Sequence, residues 1–168
     1  MTDRIRTERL GLRPVVAEDA AGIMAGFADF EVIKWLARPP YPFTAADLRI
    51  HNDDGSSRWP EMAAIEHKGR MIGIVSGVPH LGFWLLREAW GQGFATEAGR
   101  AMAARVFEES AVDHLVSGYF DGNNASANVL AKLGFVETGR GTHWCEPRRE
   151  DIPHIDLRLE RSDWEARL

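Results

Sequence analysis

The sequence predicts an α/β fold: a sheet of mixed strand direction with helices on both faces. Three observations predict it. Met62–Glu66 and Met71–Val78 flank a four-residue polar turn, which is typical of an antiparallel hairpin. The segment from Leu81 to Phe120 has a strand–helix–strand pattern, and such a right-handed crossover places two parallel strands in one sheet. Phe135–Gly139 and Ile152–Glu160 are predicted to be two closing strands.

The composition indicates one ordinary globular domain spanning residues 1–168. The chain has 45% hydrophobic and 27% charged residues and a net charge of −5, which argues against a nonspecific nucleic-acid coat. Its single cysteine, Cys145, excludes an internal disulfide framework and a multi-cysteine zinc site, and we expect no metal. We find no signal-peptide core and no apolar run of membrane-spanning length, and therefore expect a cytoplasmic protein without a membrane partner.

The first third of the chain is predicted to contain one strand and two helices. Arg4–Arg13 forms the strand, which Pro14 ends, and Glu18–Ala28 carries apolar residues at helical spacing. A proline-rich loop and a short segment, Glu31–Leu36, separate this helix from another possible helix near Ala45–Asn52. A polar turn at Asn52–Ser57 follows and is too short to link two domains.

The crossover contains the most informative stretch of the sequence. Leu81–Leu86 is predicted to be a strand and Phe94–Glu109 a helix with an apolar face. His114–Phe120 is the next strand, and Ala125–Leu133 is a short helix. Gly134 follows at the position where helices favour a left-handed residue.

A Gly-x-Gly turn joins the first strand of the crossover to its helix. Gly91 and Gly93 flank Gln92, and the first helical N–H groups, up to about Thr96, have no intrahelical acceptors. Such a turn suits a pyrophosphate, although glycines that serve turn geometry alone would give the same pattern. The turn lacks the Gly-Lys-Ser/Thr ending of a Walker loop and the third glycine of the dinucleotide fingerprint.

Four segments in order resemble the GNAT-superfamily N-acetyltransferases, in the branch of the RimJ and RimL ribosomal-protein acetyltransferases. They are TERLGLRP (Thr7–Pro14), LGFWL (Leu81–Leu85), WGQGFATEA (Trp90–Ala98) and NNASANVLAKLGF (Asn123–Phe135). The resemblance implies the GNAT fold: a central, mixed and mostly antiparallel sheet of about seven strands, in which parallel strands four and five splay apart. It also implies acetyl-CoA as co-substrate and direct acetyl transfer to an amine.

Laid on this sequence, the resemblance assigns residues to the cofactor. It implies that the pyrophosphate lies on the turn and that pantetheine pairs with the exposed fourth strand. The cofactor-binding residues implied in this way are Leu85, Leu86, Trp90, Gly91, Gln92, Gly93, Phe94, Ala95, Thr96, Asn123 and Ser126.

The implied catalytic residues are Ser126 and His80. Many relatives use a tyrosine as the acid for the leaving thiolate, but Leu130 occupies that position, and Ser126 is the implied substitute; its alternative role is a helix cap or pantetheine contact. His80 precedes the fourth strand and is a candidate base, although a lone histidine there is more often structural. His143 and Glu146 are weaker candidates for the base.

The sequence is compatible with more than one kind of acceptor amine. Trp35, Tyr41 and Trp84 are candidate walls of its pocket, with core packing as the alternative. A protein N-terminus, such as that of a ribosomal protein, and a small-molecule amine are both compatible with the resemblance. Because the tyrosine and a strong base are missing, a noncatalytic acyl-CoA-binding module is the alternative function. Either a monomer or a homodimer is expected.

Overall fold

The computed structural model of the protein describes residues 4–49, 61–78 and 80–167. The N-terminal half contributes a five-stranded sheet in which all neighbours are antiparallel and spatial order follows chain order. Its strands are β1 (Ile5–Arg6), β2 (Gly11–Pro14), β3 (Met62–His67), β4 (Arg70–Ser76) and β5 (Gly82–Leu85). Helices α1 (Ala20–Ala28) and α2 (Phe30–Ile33) lie between β2 and β3 in the chain.

The C-terminal half contributes a three-stranded antiparallel sheet with the order β6-β8-β7. Its strands are β6 (His114–Phe120), β7 (Val136–Cys145) and β8 (Glu150–Glu160). Helix α3 (Phe94–Glu109) precedes β6, α4 (Asn124–Leu133) follows it, and α5 (Arg161–Glu165) ends the described chain.

The two sheets meet at one point. A single parallel bridge joins His80 to Val116, and the Leu81 N–H donates to the Val116 carbonyl at 2.9 Å. Beyond this bridge β5 and β6 are not paired, so a gap opens between the two sheets. The family resemblance implies about seven strands in one central sheet, with strands four and five parallel, whereas the described residues form eight strands in two sheets joined by this one parallel bridge.

The hydrophobic core around the larger sheet has two parts, one on each face, because successive side chains of a strand point to opposite faces. Ala63 and Ile65 of β3 pack into the main core with α3, whereas Ala64 packs with Ile23 and Phe27 of α1. Helices therefore cover both faces, as the sequence predicts. Among the described residues, no helix has the length and apolar character needed to cross a bilayer.

The predicted first strand is wrong in its middle. The chain turns back between β1 and β2, where the Thr7 N–H donates to the Leu10 carbonyl at 3.0 Å and the Leu10 N–H donates to Thr7 Oγ1 at 3.0 Å. The threonine side chain supplies the local hydrogen bonds that replace continuous strand geometry. Two short antiparallel strands result, with Ile5 opposite Leu12.

Other boundaries also differ from the sequence-based expectations. Residues 45–49, the described part of the predicted helix near 45–52, are not helical: residues 45–47 form a turn in which the Asp47 carboxylate accepts the Thr44 N–H at 2.8 Å. The rest of that predicted helix and the 52–57 turn lie outside the described residues. Helix α4 begins one residue early, at Asn124. Strands β7 and β8 pair from Val136–Arg158 to Cys145–Glu150 and extend well beyond the predicted closing strands.

Candidate active site

The Gly-x-Gly turn forms an anion-binding loop at the start of α3. Gly91 and Gly93 have φ values of 72° and 81°, in the left-handed region that favours glycine. The first N–H in this stretch that donates to a backbone acceptor is that of Glu97, which binds the Gly93 carbonyl at 3.0 Å. Within the described part of the chain, none of the backbone N–H groups from Gly91 to Thr96 has an acceptor. A row of free donors at a helix N-terminus is suited to a phosphate group.

The N-terminal segment braces this loop. Glu97 of α3 accepts hydrogen bonds from Thr7 Oγ1 at 2.5 Å, from the Arg9 N–H at 2.8 Å and from Arg9 Nε at 2.7 Å. Arg9 also donates to the Gln92 carbonyl at 2.9 Å, and its guanidinium lies over the Phe94 ring at 4.7 Å. Burial raises the pKa of Glu97, but the hydrogen bonds from Thr7 and Arg9 outweigh it and lower the pKa overall. The carboxylate is therefore held ionised between the two segments.

A pocket of about 280 Å³ continues from the loop into the gap between β5 and α4. Its walls are formed by four parts of the chain: the anion-binding loop, the edge of β5, the first turns of α4 and the end of α2. The sequence-predicted residues that line it are Leu85, Trp90, Gly91, Gly93, Phe94, Ala95, Thr96, Asn123, Ser126, Trp35 and Trp84. Gln92, Leu86, Tyr41 and His80 are not among the lining residues.

The free edge of β5 faces this pocket. The Leu86 N–H donates to the Ile72 carbonyl of the neighbouring strand segment at 2.8 Å, which places Leu86 on the paired side. Because hydrogen-bonding direction alternates along an antiparallel strand, the N–H and carbonyl of Leu85 point away from β4. The Trp90 indole N–H donates a hydrogen bond to the Leu85 carbonyl at 2.9 Å. The Leu85 N–H thus remains a free donor directed at the pocket.

Helix α4 presents Ser126 to the opposite wall. Asn123 caps the helix by accepting the Ser126 N–H on its Oδ1 at 3.2 Å, so the cap uses the serine backbone and leaves the hydroxyl free for other contacts. Across the described residues, no protein group hydrogen-bonds that hydroxyl. Leu130, which stands where many relatives have tyrosine, is 1% exposed and packs in the main core.

The aromatic residues near the far end of the pocket have different environments. Trp84 contacts Phe27 with ring centroids 5.0 Å apart, and it approaches Gly26 so closely that a Cβ there would lie 2.4 Å from the indole. Trp35 packs beside Phe120 and Cys145. Tyr41 instead packs against Phe30 at 5.0 Å, away from the pocket lining.

The model of the family described as "Acetyltransferase (GNAT) domain" matches residues 9–136. The chain belongs to the GNAT acetyltransferase family. Its mixed, mostly antiparallel sheet with helices is the GNAT α/β fold, which confirms the fold class predicted from the sequence. GNAT acetyltransferases use acetyl-CoA, and the free donors and the adjoining pocket fit that co-substrate.

Individual relatives are distant. The FsC-acetyl coenzyme A-N(2)-transacetylase of Aspergillus fumigatus is 24% identical over 145 residues, which are 85% of this chain and 52% of that protein. The chain thus spans about half the length of this relative. N-acetyltransferase YoaA of Bacillus subtilis is 24% identical over 152 residues, covering 80% of this chain and 84% of that protein. The structure of Mycobacterium smegmatis RimJ in complex with CoA-disulfide has a TM-score of 0.71 at 20% identity, covering 92% of this chain and 83% of that one, which shows a shared fold.

In this GNAT domain His80 lies at the point where the two sheets meet, outside the pocket lining. The residue as a whole is exposed, but the surrounding protein partly desolvates its ring. This burial, together with the neighbouring charges of His154 and Arg38, lowers the pKa of His80 below 6.5. The His80 imidazole is therefore mainly neutral at pH 7.

Cys145 and Glu146 form hydrogen bonds with other parts of the protein. The thiol is fully buried and donates to the Lys34 carbonyl at 3.4 Å, and burial raises its pKa. It is therefore a neutral thiol that anchors the end of β7 to the segment after α2. Glu146 accepts a hydrogen bond from the Trp144 indole at 2.7 Å, and His143 is exposed.

Sequence reasoning missed His154 and Asp156. The two residues are on the same face of β8, because side chains two residues apart on a strand point the same way. His154 Nδ1 lies 3.0 Å from Asp156 Oδ1. The His-x-Asp spacing within a predicted strand was the available signal, but only the pairing of β8 with β6 shows what the two side chains face.

Proposed function

We propose that this chain is an acetyl-CoA-dependent N-acetyltransferase that transfers an acetyl group directly to a primary amine. The row of free N–H groups from Gly91 to Thr96, opening into a pocket between β5 and α4, is the observation that carries the proposal. Several donors can bind one pyrophosphate there, and the pocket leads from them past Leu85 to Ser126. Bound acetyl-CoA supplies the activated acetyl thioester.

The residues beside the pocket fit the charges that acetyl transfer develops. The Leu85 N–H is directed at the pocket and can donate to the thioester carbonyl oxygen, where one fixed donor is worth about 3 kcal/mol. The Ser126 hydroxyl lines the opposite wall and can donate a proton to the departing sulfur. A thiol has a pKa of about 8.5, so a weak acid is sufficient for this step.

The acceptor amine is inferred from the branch that the sequence resembles. RimJ/RimL-like enzymes act on protein N-termini, whereas the Aspergillus relative carries the name of an N(2)-transacetylase. An α-amino group with a pKa of about 7.8 is partly neutral at pH 7, whereas a lysine side chain with a pKa of about 10.4 is almost entirely protonated. A peptide N-terminus, such as that of a ribosomal protein, or a small amine of low pKa is therefore the proposed acceptor.

The direct test is release of CoA thiol from acetyl-CoA in the presence of an acceptor panel. The panel contains peptides with ribosomal-protein N-termini, the same peptides with blocked N-termini, and small primary amines. We expect turnover with at least one free amine and none with its blocked counterpart. Tight acetyl-CoA binding with no turnover across the panel would identify the chain as a noncatalytic acyl-CoA-binding module instead.

Replacement of Ser126 with alanine tests the proposed proton donor. We expect kcat to fall about tenfold, consistent with a modest acid contribution to a good leaving group. Acetyl-CoA affinity, measured by calorimetry, should change less than twofold, and the helix cap should persist because it uses the Ser126 N–H. An unchanged kcat would remove Ser126 from the mechanism and leave it as a wall of the pocket.

A further inference from the structure

The strands on either side of the gap, β5 and β6, have one face with a group of residues that the proposed cofactor site does not use. The parallel bridge places His80 on the same face as Val116, and alternation adds Gly118 and Phe120 of β6 to it. Trp35 packs beside Phe120 and also lines the cofactor pocket. This face is therefore adjacent to the far end of the pocket, where an acceptor must approach the acetyl group.

His154 reaches this face from the neighbouring strand. It pairs with Phe120 across the β6–β8 ladder, and its ring meets the Phe120 ring edge-on at 5.5 Å. The tip of its imidazole lies over Gly118: a Cβ at that glycine would be 2.2 Å from Cε1 and 2.8 Å from Nε2. Any side chain at Gly118 would displace the ring. The glycine thus allows His154 to extend across β6 toward the gap with β5.

Hydrogen bonding orients the His154 ring. Asp156 Oδ1 lies 3.0 Å from Nδ1, so the carboxylate accepts the proton of that nitrogen and leaves the Nε2 lone pair free. The His143 ring lies against the His154 ring, tilted by 38°, with centroids 4.3 Å apart. A carboxylate that fixes the tautomer and orientation of an imidazole is the arrangement by which histidine serves as a general base.

We propose, on the basis of the proposed acetyl transfer, that His154 is the base that deprotonates the acceptor amine and that Asp156 is its positioning residue. His154 Nε2 takes one proton from the bound ammonium group, which frees the nitrogen lone pair. The N–C bond forms as the C–S bond breaks, and the electron pair of that bond leaves on sulfur. The second nitrogen proton neutralises the thiolate through the Ser126 hydroxyl, and His154 returns its proton to water.

The charged groups around His154 favour this role. Burial and the charge of His143 lower its pKa below 6.5, while Asp156 acts in the opposite direction. His80, which precedes β5, shares this face, and the neighbouring charges of His154 and Arg38 lower the pKa of His80. Gly118 and Phe120 of β6 add no charge. The base is therefore neutral and able to accept a proton at pH 7.

The test compares kcat/KM against pH for the best acceptor of the panel. We expect His154→Gln to lower kcat/KM about 30-fold at pH 7 and to remove the acid limb that follows the His154 pKa, leaving only the decline caused by protonation of the free amine. The loss should be greater for a lysine-like amine than for an α-amine, because more proton removal is needed. His114→Gln, at the other end of β6, is the matched control and should leave the profile unchanged.

Two further variants separate a positioning role from a structural one. Asp156→Asn should move the acid limb to lower pH, because it removes the carboxylate that raises the His154 pKa. His143→Gln should move it to higher pH. NMR titration of the His154 imidazole should show the same two shifts in the protein without acceptor, so this readout stands independently of turnover.

The outcomes distinguish this inference from the proposed function. Wild-type turnover with an unchanged pH profile in folded His154→Gln overturns the base assignment and leaves the acetyltransferase proposal intact. Absence of turnover in the wild type despite acetyl-CoA binding overturns both. Activity that is lost on dialysis against EDTA and restored by Zn²⁺ would also overturn the base assignment, since the ligand atoms of His143, His154 and Asp156 lie within 4.8 Å of one another.

Discussion

Replacement of Gly91 with valine is expected to lower acetyl-CoA affinity about 1,000-fold. Gly91 lines the pocket with φ at 72°, and a Cβ there would meet no protein atom within 4 Å. Because Gly91 lines the pocket and begins the row of free N–H groups, a valine side chain there would add bulk beside those donors. A pyrophosphate kept away from them loses several charge-assisted hydrogen bonds, each worth about 1.5–3 kcal/mol.

Gly69 provides a matched control for this substitution. It lies in the turn between β3 and β4 with φ at 77°, and a Cβ there also meets nothing within 4 Å. Gly69→Val and Gly91→Val should therefore lose similar stability, about 1–2 kcal/mol each, through left-handed backbone strain. Calorimetric titration with acetyl-CoA should separate them. Equal affinities in the two variants would show that the turn at Gly91 is not the phosphate site.

Local sequence signals were sufficient for the elements that position the cofactor. The β3–β4 hairpin, helix α3 and strand β6 have the predicted type because their turn residues and apolar spacing are local properties. The two glycines of the phosphate loop both have positive φ, which their chemistry favours. The family resemblance then supplied the co-substrate, which the turn alone left open.

The parts that sequence reasoning missed depend on partners far along the chain. Thr7 and Arg9 belong to the TERL segment that carried the resemblance, yet their partner Glu97 is about 90 residues away. Thr7 also makes the local hydrogen bonds with Leu10 that break the expected first strand. Strands β7 and β8 are long because they pair with each other, although most side chains of β7 are exposed and give little apolar pattern.

The acceptor side of the site was the least predictable. His80 was singled out because it precedes a recognisable strand, whereas His154 stands in a closing strand to which sequence reasoning assigned no role. Their proximity depends on the His80–Val116 bridge and on the register that sets Phe120 opposite His154. A one-residue slip in that register would turn His154 to the other face, and a single sequence does not specify the register between distant strands.

Replacement of Asp19 with asparagine is expected to destabilise the fold by about 3 kcal/mol at pH 7. The Asp19 side chain is 3% exposed and forms two hydrogen bonds of 2.8 Å with Arg13, and it accepts the Val16 N–H at 2.9 Å. Asparagine keeps the shape, but its amide nitrogen cannot accept a hydrogen bond, so one nitrogen of the partly buried Arg13 guanidinium loses its acceptor and the charge keeps Glu66, at 2.9 Å from Nε, as its carboxylate partner. Removing one member of a buried pair typically costs about 3–5 kcal/mol.

Asp29→Asn is the matched control. Asp29 also pairs with two nitrogens of one arginine, Nε and Nη2 of Arg87, but the Asp29 and Arg87 side chains are 26% and 55% exposed, so the loss should stay below about 1 kcal/mol. Chemical denaturation of both variants and the wild type at pH 7 gives the comparison. Equal losses would mean that burial of Asp19 adds nothing to the strength of its pair.

The pH dependence of the Asp19 effect follows from the pKa of its carboxyl group. Burial raises that pKa, but the hydrogen bonds from Arg13 and Val16 outweigh it, so the folded pKa lies below the ordinary value of 3.8. The stabilisation is therefore fully present above the unfolded pKa and is lost as the pH falls through the folded one. The stability difference between wild type and Asp19→Asn should accordingly be constant near neutrality and shrink below about pH 4. A difference that stays constant into strong acid would show that the charge of Asp19 does not stabilise this fold.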